Sequence, residues 1–262
     1  MGSRVLTLAL ATALVTRDVA KLLLGITDSS SDAKLDLLIA SASDDIGTHV
    51  GRVLVRQKYQ DSDPQPLPGD GTRLLLSQFP IDRDQVTVTI AGAAVTDFEV
   101  EEAAIGRLYR AGGWPTSDVD ISFFAGYVSP DRVKPWVNLT VYVKGDFVRP
   151  SSSYGFTAPL LFEVTAVTGA AGASEPTWPT TGGVPVTSAL AVFTARDAEE
   201  VPPALRNIAF LEVKNRNELL TRVEGLRSMQ VENYSESYSD TVAASELSPS
   251  VVRSLELWKY GR

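Results

Sequence analysis

The sequence contains no cysteine and a single histidine, His49. Without cysteine the chain has no disulfide, no thiolate ligand for a metal and no thiol nucleophile. One histidine also leaves most metal sites and catalytic triads without the imidazole groups that they use. Apolar runs are short, and none approaches the roughly 20 residues that cross a membrane as a helix. We therefore expect neither a metal nor a cofactor, and no membrane partner.

Basic residues are in the minority. The chain has 24 Lys and Arg against 32 Asp and Glu, which gives a net charge of −8 over 262 residues. Tight binding to nucleic acid of any sequence relies on Lys and Arg that neutralise phosphates, so this balance disfavours it. The same balance is compatible with a negatively charged channel wall past which DNA slides.

Motifs for catalysis are also missing. The sequence has no Gly-x-Ser-x-Gly, no Walker loop and no dinucleotide fingerprint. Adjacent carboxylates occur at Glu101–Glu102 and Glu199–Glu200. Neighbours in a strand point to opposite faces, however, and acidic residues near a helix start favour the helix dipole. Such pairs are typical of a solvated surface, so we expect a protein that is not an enzyme.

The N-terminal run from Val5 to Val15 has two interpretations. It follows Arg4 and contains an Ala-Thr-Ala sequence that is similar to a signal-peptide cleavage site. The apolar stretch is short, however, and two threonines interrupt it. We expect a protein that is not exported, and a secreted protein is the alternative.

Two helices are predicted near the N-terminus. Thr16 is a favourable N-cap for a short helix through Leu24, and Gly25 is a typical stop. A second helix is expected after the Ser29–Asp32 loop and up to Gly51. Its apolar residues recur at spacings of three and four, and they are Leu35, Leu38, Ile39, Ala42, Ile46 and Val50. This stripe predicts burial against another element.

Short strands are predicted after these helices. Alternating residues indicate strands at Val86–Ile90, Ala93–Val100 and Val119–Phe124. Ala91–Gly92 can turn the first of them back onto the second as a hairpin. These patterns predict a small antiparallel sheet.

The segment from residue 132 to residue 198 differs from its surroundings. The sequence before it ends like a strand, and the sequence after it starts a helix at Pro202 and Pro203. The segment is nearly neutral, and its eight aromatic residues are Trp136, Tyr142, Phe147, Tyr154, Phe156, Phe162, Trp178 and Phe193. Short alternating runs between Gly- and Pro-rich turns predict a small all-β module, and they are Thr140–Val143, Phe147–Val148, Leu160–Val167 and Ala189–Thr194.

Two more helices are predicted in the C-terminal part. One runs from about Pro203 to Val223, and another starts at Pro249 with Ser248 as its cap. Chain termini are usually frayed, yet this one carries four large apolar residues, which are Leu255, Leu257, Trp258 and Tyr260. They dock either on their own core or on a partner, and we take them as candidate contact residues for a neighbouring protein.

A series of short motifs runs through residues 1–131 and 199–262 in a fixed order. The motifs are Val5–Thr7, Thr16–Leu24, Asp28–Asp32, Leu35–Arg52, Phe79–Ile81, Gly113–Pro115, Ala125–Tyr127, Pro202–Leu205 and Tyr234–Tyr238. In this order they resemble phage head–tail connector (adaptor) proteins. That family usually passes directly from the strand to the helix, so the segment between them here is a departure.

The resemblance implies a structural virion protein at the head–tail interface that is assembled in the host cytoplasm. It implies a ring of identical copies, usually twelvefold, beneath the portal protein at the vertex through which the genome is packaged and leaves. The implied partners are the portal, further copies of the chain, and a stopper or tail-completion protein. DNA is expected to pass through the channel without specific binding.

The inserted segment (residues 132–198) carries a second pattern. Its motifs are Trp136, Tyr142–Val148, Phe162 and Glu175–Pro179. They resemble small Trp-rich β modules related to chitin- and cellulose-binding domains. This resemblance makes Trp136, Tyr142 and Trp178 candidate sugar-stacking residues, although the same rings could form the core of a small module. A secreted carbohydrate-binding protein is therefore the alternative function.

Together these patterns predict an α+β protein. We expect a helical adaptor core with a small antiparallel sheet, interrupted by an all-β inserted domain. Residues 1–131 and 199–262 would form the discontinuous adaptor domain, and residues 132–198 would form the inserted domain.

Overall fold

In the computed structural model the chain folds into two compact units. The described residues are 2–7, 12–151, 160–221, 228–231, 234–237 and 247–259. The first unit comprises residues 1–12 and 53–202, and the second unit comprises residues 13–52 and 203–260. Each unit buries apolar side chains of its own.

The first unit is built from fourteen described strands in three sheets. In chain order they are β1 (Gly2–Thr7), β2 (Gln57–Ser62), β3 (Pro66–Leu67), β4 (Asp70–Leu75), β5 (Thr87–Ile90), β6 (Ala93–Val95), β7 (Glu99–Glu102), β8 (Arg107–Tyr109), β9 (Val119–Ala125), β10 (Val133–Pro135), β11 (Phe147–Arg149), β12 (Leu161–Val167), β13 (Pro185–Ser188) and β14 (Ala191–Arg196). Neighbouring strands are antiparallel except β10 and β11, which are parallel.

The first sheet has the strand order β1-β2-β9-β5-β6. Positions along β2 and β9 alternate between buried and more exposed, as expected of strands with one face on a core. The inward rings of Tyr59 and Phe123 stack with their centroids 5.8 Å apart. The predicted hairpin between β5 and β6 is confirmed, since Ala91 and Gly92 both have the positive φ that a two-residue turn requires.

The second sheet has the order β3-β4-β8-β7 and shares its core with the first. Leu74 and Leu108 are fully buried and belong to the same cluster as Tyr59 and Phe123. The two sheets therefore form one layered core, which the inserted segment does not interrupt.

The third sheet has the order β10-β11-β12-β14-β13 and comes from the inserted segment alone. Its core is aromatic, with the rings of Phe162 and Trp178 4.3 Å apart between centroids. A second, smaller cluster joins Phe147 and Leu161 of this sheet to Val128 and Ala198 at the two ends of the insertion.

The second unit contains four described α-helices and one β-hairpin. They are α1 (Arg17–Leu24), α2 (Asp32–Val50), α3 (Pro203–Thr221), β15 (Ser228–Val231), β16 (Tyr234–Ser237) and α4 (Pro249–Leu255). The predicted limits of α1 are confirmed, because Thr16 Oγ1 accepts a hydrogen bond from the Val19 N–H at 3.2 Å and Gly25 adopts φ +70°. Helix α2 ends at Gly51 as predicted, also with a left-handed residue.

A buried ion network joins the helices of this unit. Arg216 on α3 places Nε 2.8 Å from Glu212 Oε1 and Nη2 2.7 Å from Asp45 Oδ2 on α2. Glu212 Oε2 accepts a hydrogen bond from the Ser248 N–H at 3.1 Å, at the start of α4. Both Glu212 and Arg216 are buried, so one charge cluster holds three helices together.

The expectation of a helical adaptor core with a small antiparallel sheet is wrong. The described residues form mostly sheet, with three sheets in the first unit and only four α-helices. Strands of two or three residues such as β3 and β10 are too short to show a period, and β1 pairs with β2 across more than fifty residues, with Gly2 opposite Ser62. The alternating run Thr140–Val143 is not a strand either.

The predicted domain boundaries stay a prediction. The two compact units are defined by which residues pack together. The predicted boundaries state something else, namely that residues 132–198 are inserted into a domain formed by residues 1–131 and 199–262. The third sheet uses residues 133–196 only. This shows that the segment forms its own sheet, and it does not test whether the segment is an insertion.

Candidate functional site

Helix α1 exposes large apolar side chains. Its buried residue is Ala20, whereas Leu22 is 79% exposed and Leu23 is 55% exposed. At 100° per residue, three consecutive leucines from Leu22 to Leu24 span about 200° of the helix and cannot all face one core. Exposed leucines of this size are candidates for contact with another protein.

Helix α2 adds a further exposed leucine. Leu37 is 73% exposed. Lys21 Nζ lies 2.6 Å from Asp32 Oδ1, and Arg17 Nη1 lies 2.8 Å from Asp36 Oδ2. These two ion pairs connect α1 to α2, and both helices carry exposed leucines. We call Leu22, Leu23 and Leu37 the leucine surface.

The predicted contact residues at the C-terminus do not share one environment. Leu255 is fully buried, and Trp258 is half-buried with its carbonyl accepting a hydrogen bond from Arg52 Nη2 at 3.5 Å. Leu257 lies in a 3₁₀ turn, and its side chain is not among those described; Tyr260 lies outside the described residues. Their role in contact with a neighbouring protein stays a prediction.

The candidate sugar-stacking residues lie together in the aromatic core of the third sheet. Trp136, Tyr142 and Trp178 are all buried, and each contacts the ring of Phe193 with centroids 5.5 to 5.8 Å apart. Trp178 Nε1 donates a hydrogen bond to Glu175 Oε1 at 2.7 Å. In this arrangement the rings serve as core, and a role in sugar binding stays a prediction.

Three carboxylates of the two adjacent pairs form ion pairs, and they are those of Glu101, Glu102 and Glu200. Glu101 Oε2 lies 2.8 Å from the Nε atoms of Arg73 and of Arg107. Hydrogen bonds from Arg73 hold the pKa of Glu101 below its usual value, whereas burial raises the pKa of Glu199. Among the described residues, no group of three or more His, Asp or Glu is placed to hold a metal ion. No described helix is long and apolar enough to cross a membrane.

A cavity of about 380 Å³ opens in the first unit, beside the end of β1, the start of β2 and the third sheet. We call it the junction cavity. Its lining combines apolar and cationic side chains, which include Val55, Phe124 and Phe147 together with Arg56, Arg132 and Lys144. A cavity of this size and mixed lining is within the range that binds small ligands or single side chains.

Arg56 is the buried cation of the junction cavity. Its guanidinium carbon lies 4.0 Å from the ring centroid of Phe124 and 5.1 Å from that of Phe147, which is cation–π geometry. Its Nη2 lies 2.7 Å from Asp82 Oδ2. Burial raises the pKa of Asp82 to about 7, although the guanidinium of Arg56 acts in the opposite direction.

The remaining charges leave the cavity with an excess of positive charge. Arg132 Nη2 lies 3.1 Å from Asp146 Oδ1, and Glu163 is neutralised by Arg196 Nε at 2.6 Å. Lys144 is exposed and forms no ion pair with any described residue. It is therefore available to a carboxylate from outside.

Residues 18–101 match the family model of the phage gp6-like head-tail connector protein. Over these residues the chain is similar to phage head–tail connector proteins. We call residues 18–101 the connector segment, and it contains α1 except Arg17, all of α2 and the strands from β2 into β7. The resemblance of the sequence to head–tail connector proteins is confirmed by this match.

The match supports a structural connector role in a phage particle, in contact with portal and tail components in general. It does not extend to the inserted segment, whose resemblance to Trp-rich β modules stays a prediction. No curated protein matches the chain.

The leucine surface lies within the connector segment and was not predicted as a contact site. A signal for it is present in the sequence, since Leu37 lies off the apolar stripe of α2 and the three leucines of α1 are consecutive. The junction cavity has no comparable signal. Arg56, Phe124 and Phe147 are distant in sequence, and only the pairing of β2 with β9 and the position of the third sheet bring them together.

Proposed function

We propose that the protein is a structural component of the phage head–tail interface without enzymatic activity. It forms a ring beneath the portal, joins the capsid to the tail and surrounds the channel through which DNA leaves. The observation that carries this proposal is the match of residues 18–101 to the connector family. Assembly would take place in the host cytoplasm, before the particle is complete.

The leucine surface supports a contact between copies. A ring needs two different surfaces on each subunit that are complementary to each other. Burial of one leucine side chain contributes about 1.5–3 kcal/mol, so covering Leu22, Leu23 and Leu37 can stabilise a repeated contact. We assign these residues to one side of the subunit interface.

The charge balance supports passage of DNA without binding. A net charge of −8 repels phosphates at the ionic strength of the cell over distances of about 8 Å. We expect no measurable affinity of the purified ring for double-stranded DNA. A channel that does not hold DNA allows the genome to move in both packaging and release.

The experiment is to measure the mass of the purified chain by size-exclusion chromatography with light scattering, and to image it by negative stain with and without portal. We expect a ring for the unchanged chain. The double variant Leu22→Glu/Leu23→Glu should stay monomeric with an unchanged circular dichroism spectrum.

Leu190→Glu is the matched control, because Leu190 is 55% exposed but lies in the inserted segment. It should form rings as the unchanged chain does. A chain that stays monomeric with and without portal would contradict the proposal. Rings formed equally well by the double variant would remove the leucine surface from the interface.

A further inference from the structure

The hairpin of β15 and β16 is a two-stranded sheet that pairs with no other described strand. An isolated hairpin is at best marginally stable in water and gains stability from packing on another surface. This hairpin therefore has a physical reason to be covered.

The sequence of this region is acidic and rich in large apolar residues. Between Ser228 and Glu246 there is no Lys, Arg or His. The same stretch contains four carboxylates, which are Glu232, Glu236, Asp240 and Glu246, and its larger apolar residues include Met229, Tyr234 and Tyr238. A surface that binds it must offer positive charge beside apolar walls.

The junction cavity offers this combination. Phe124 and Phe147 supply aromatic walls, and the guanidinium of Arg56 lies against both rings. Lys144 supplies a cation that has no ion-pair partner among the described residues. A volume of about 380 Å³ accommodates a large side chain with a neighbouring carboxylate at the edge.

We propose that the junction cavity of one copy receives the acidic segment of residues 228–240, which includes strands β15 and β16, of the adjacent copy. The proposal rests on the ring put forward above and names a second contact within it. The cavity and the hairpin are different surfaces of the same chain, so each copy gives a hairpin to one neighbour and receives one from the other. Such a contact is heterologous and closes into a ring when the rotation between copies permits.

The first experiment measures binding of a fluorescein-labelled peptide of residues 228–240 to the full chain by fluorescence anisotropy. The chain carries Leu22→Glu/Leu23→Glu so that ring formation through the leucine surface does not occupy the cavity. We expect saturable binding that weakens about tenfold or more with Lys144→Glu in the chain or with Glu236→Lys in the peptide. Lys214→Glu on α3, where the lysine is also exposed, should leave binding unchanged.

The second experiment mixes two variants in which one charge of the proposed contact is reversed. Both variants keep Leu22 and Leu23. Lys144→Glu alone and Glu236→Lys alone should each reduce ring formation, because like charges then meet at the contact. A one-to-one mixture of the two variants should restore rings, since in alternating order every cavity faces a hairpin of opposite charge. A contact within a single copy would not be restored by mixing.

The outcomes separate this inference from the proposed function. Absence of peptide binding, or binding that Lys144→Glu leaves unchanged, would overturn the inference whether or not rings form. Failure of the mixture to restore assembly would also overturn it while leaving the ring itself in place. A monomeric unchanged chain that still binds the peptide through Lys144 would overturn the ring and support the cavity contact.

Discussion

At the residue scale, the aromatic side chains of the inserted segment carry most of its core. Trp178 is buried among Trp136, Phe162 and Phe193, and its indole N–H is bonded to Glu175. We expect Trp178→Ala to reduce the free energy of unfolding by about 3–5 kcal/mol, because it leaves a cavity in a tightly packed core.

Urea unfolding measured by circular dichroism gives this value. Val141→Ala is the control, since Val141 is 65% exposed in the same segment and the change should stay within about 0.5 kcal/mol. If Trp178→Ala abolished binding to chitin without loss of stability, sugar stacking rather than packing would be the role of this residue.

Asp82 makes stability depend on pH through its burial beside Arg56. Its folded-state pKa is raised to about 7, whereas an aspartate in an unfolded chain has a pKa of about 3.9. Between these values the folded protein binds more protons than the unfolded chain. The free energy of unfolding contributed by this group therefore falls as pH rises from about 4 to about 7 and is constant above that.

We expect this group to lower the free energy of unfolding by up to about 2 kcal/mol between pH 5 and pH 7. Asp82→Asn should remove this part of the slope, as measured by urea unfolding at several pH values. Asp120→Asn is the control, because hydrogen bonds from Ser62 and Gln60 lower the pKa of Asp120 and place its titration below this range. An unchanged slope in Asp82→Asn would contradict the assignment.

Gly126 allows two parts of the chain to approach closely at the end of β9. A Cβ atom there would lie 2.7 Å from the backbone carbon of Val55, and the φ of Gly126 is +98°. We expect Gly126→Ala to cost about 2 kcal/mol or more, since it adds backbone strain to a backbone clash. Thermal unfolding checks this against Gly71→Ala, where a Cβ meets nothing within 4 Å, and equal melting temperatures would contradict it.

At the element scale, the buried ion network fixes α4 to α2 and α3. We expect Glu212→Ala to reduce the free energy of unfolding by about 3 kcal/mol or more. The change removes one of the carboxylates that pair with the buried Arg216, and it leaves the Ser248 N–H without its acceptor. Hydrogen exchange of the amides of residues 251–255 should accelerate. Lys214→Ala is the control, since its pair with Glu218 is about half exposed and contributes less than about 1 kcal/mol.

Helix ends could be predicted from the sequence because their signals are local. Thr16 and Gly25 act within four residues of the groups that they cap, so the limits of α1 follow from the local sequence alone. The sheets could not be predicted in the same way. Their strands are held by partners far along the chain, as β1 is by β2, and three-residue strands have no readable period.

At the scale of the whole molecule, the two ends of the inserted segment lie side by side. The Val128 N–H donates a hydrogen bond to the Glu199 carbonyl at 2.7 Å. The core around Tyr59 and Phe123 is separate from the aromatic core of the third sheet. A short linker can therefore replace residues 132–198 without stretching the chain.

We expect a chain without residues 132–198 to fold, with a cooperative thermal transition and a reduced melting temperature. The reduction follows from the loss of two contacts. One is the ion pair between Arg196 Nη1 and Asp84 Oδ2, which are 3.0 Å apart, and the other is the packing of Phe147 against Val128. Circular dichroism and differential scanning calorimetry measure this. A chain that stays unfolded would show that the inserted segment is part of the core that the flanking segments need.

The sequence by itself determined both ends of α1, the C-terminal end of α2, the hairpin at Ala91–Gly92 and the resemblance to the connector family. Each of these depends on neighbouring residues or on an ordered series of motifs, and both are visible without coordinates. The absence of cysteine and the single histidine also limited the chemistry from the start.

Only the tertiary structure decided which distant charges and aromatic rings meet. The junction cavity exists because strand pairing brings Arg56 against Phe124, and the third sheet adds Phe147 and Lys144. Long-range pairing is a property of packed elements, and no local pattern of residues specifies it.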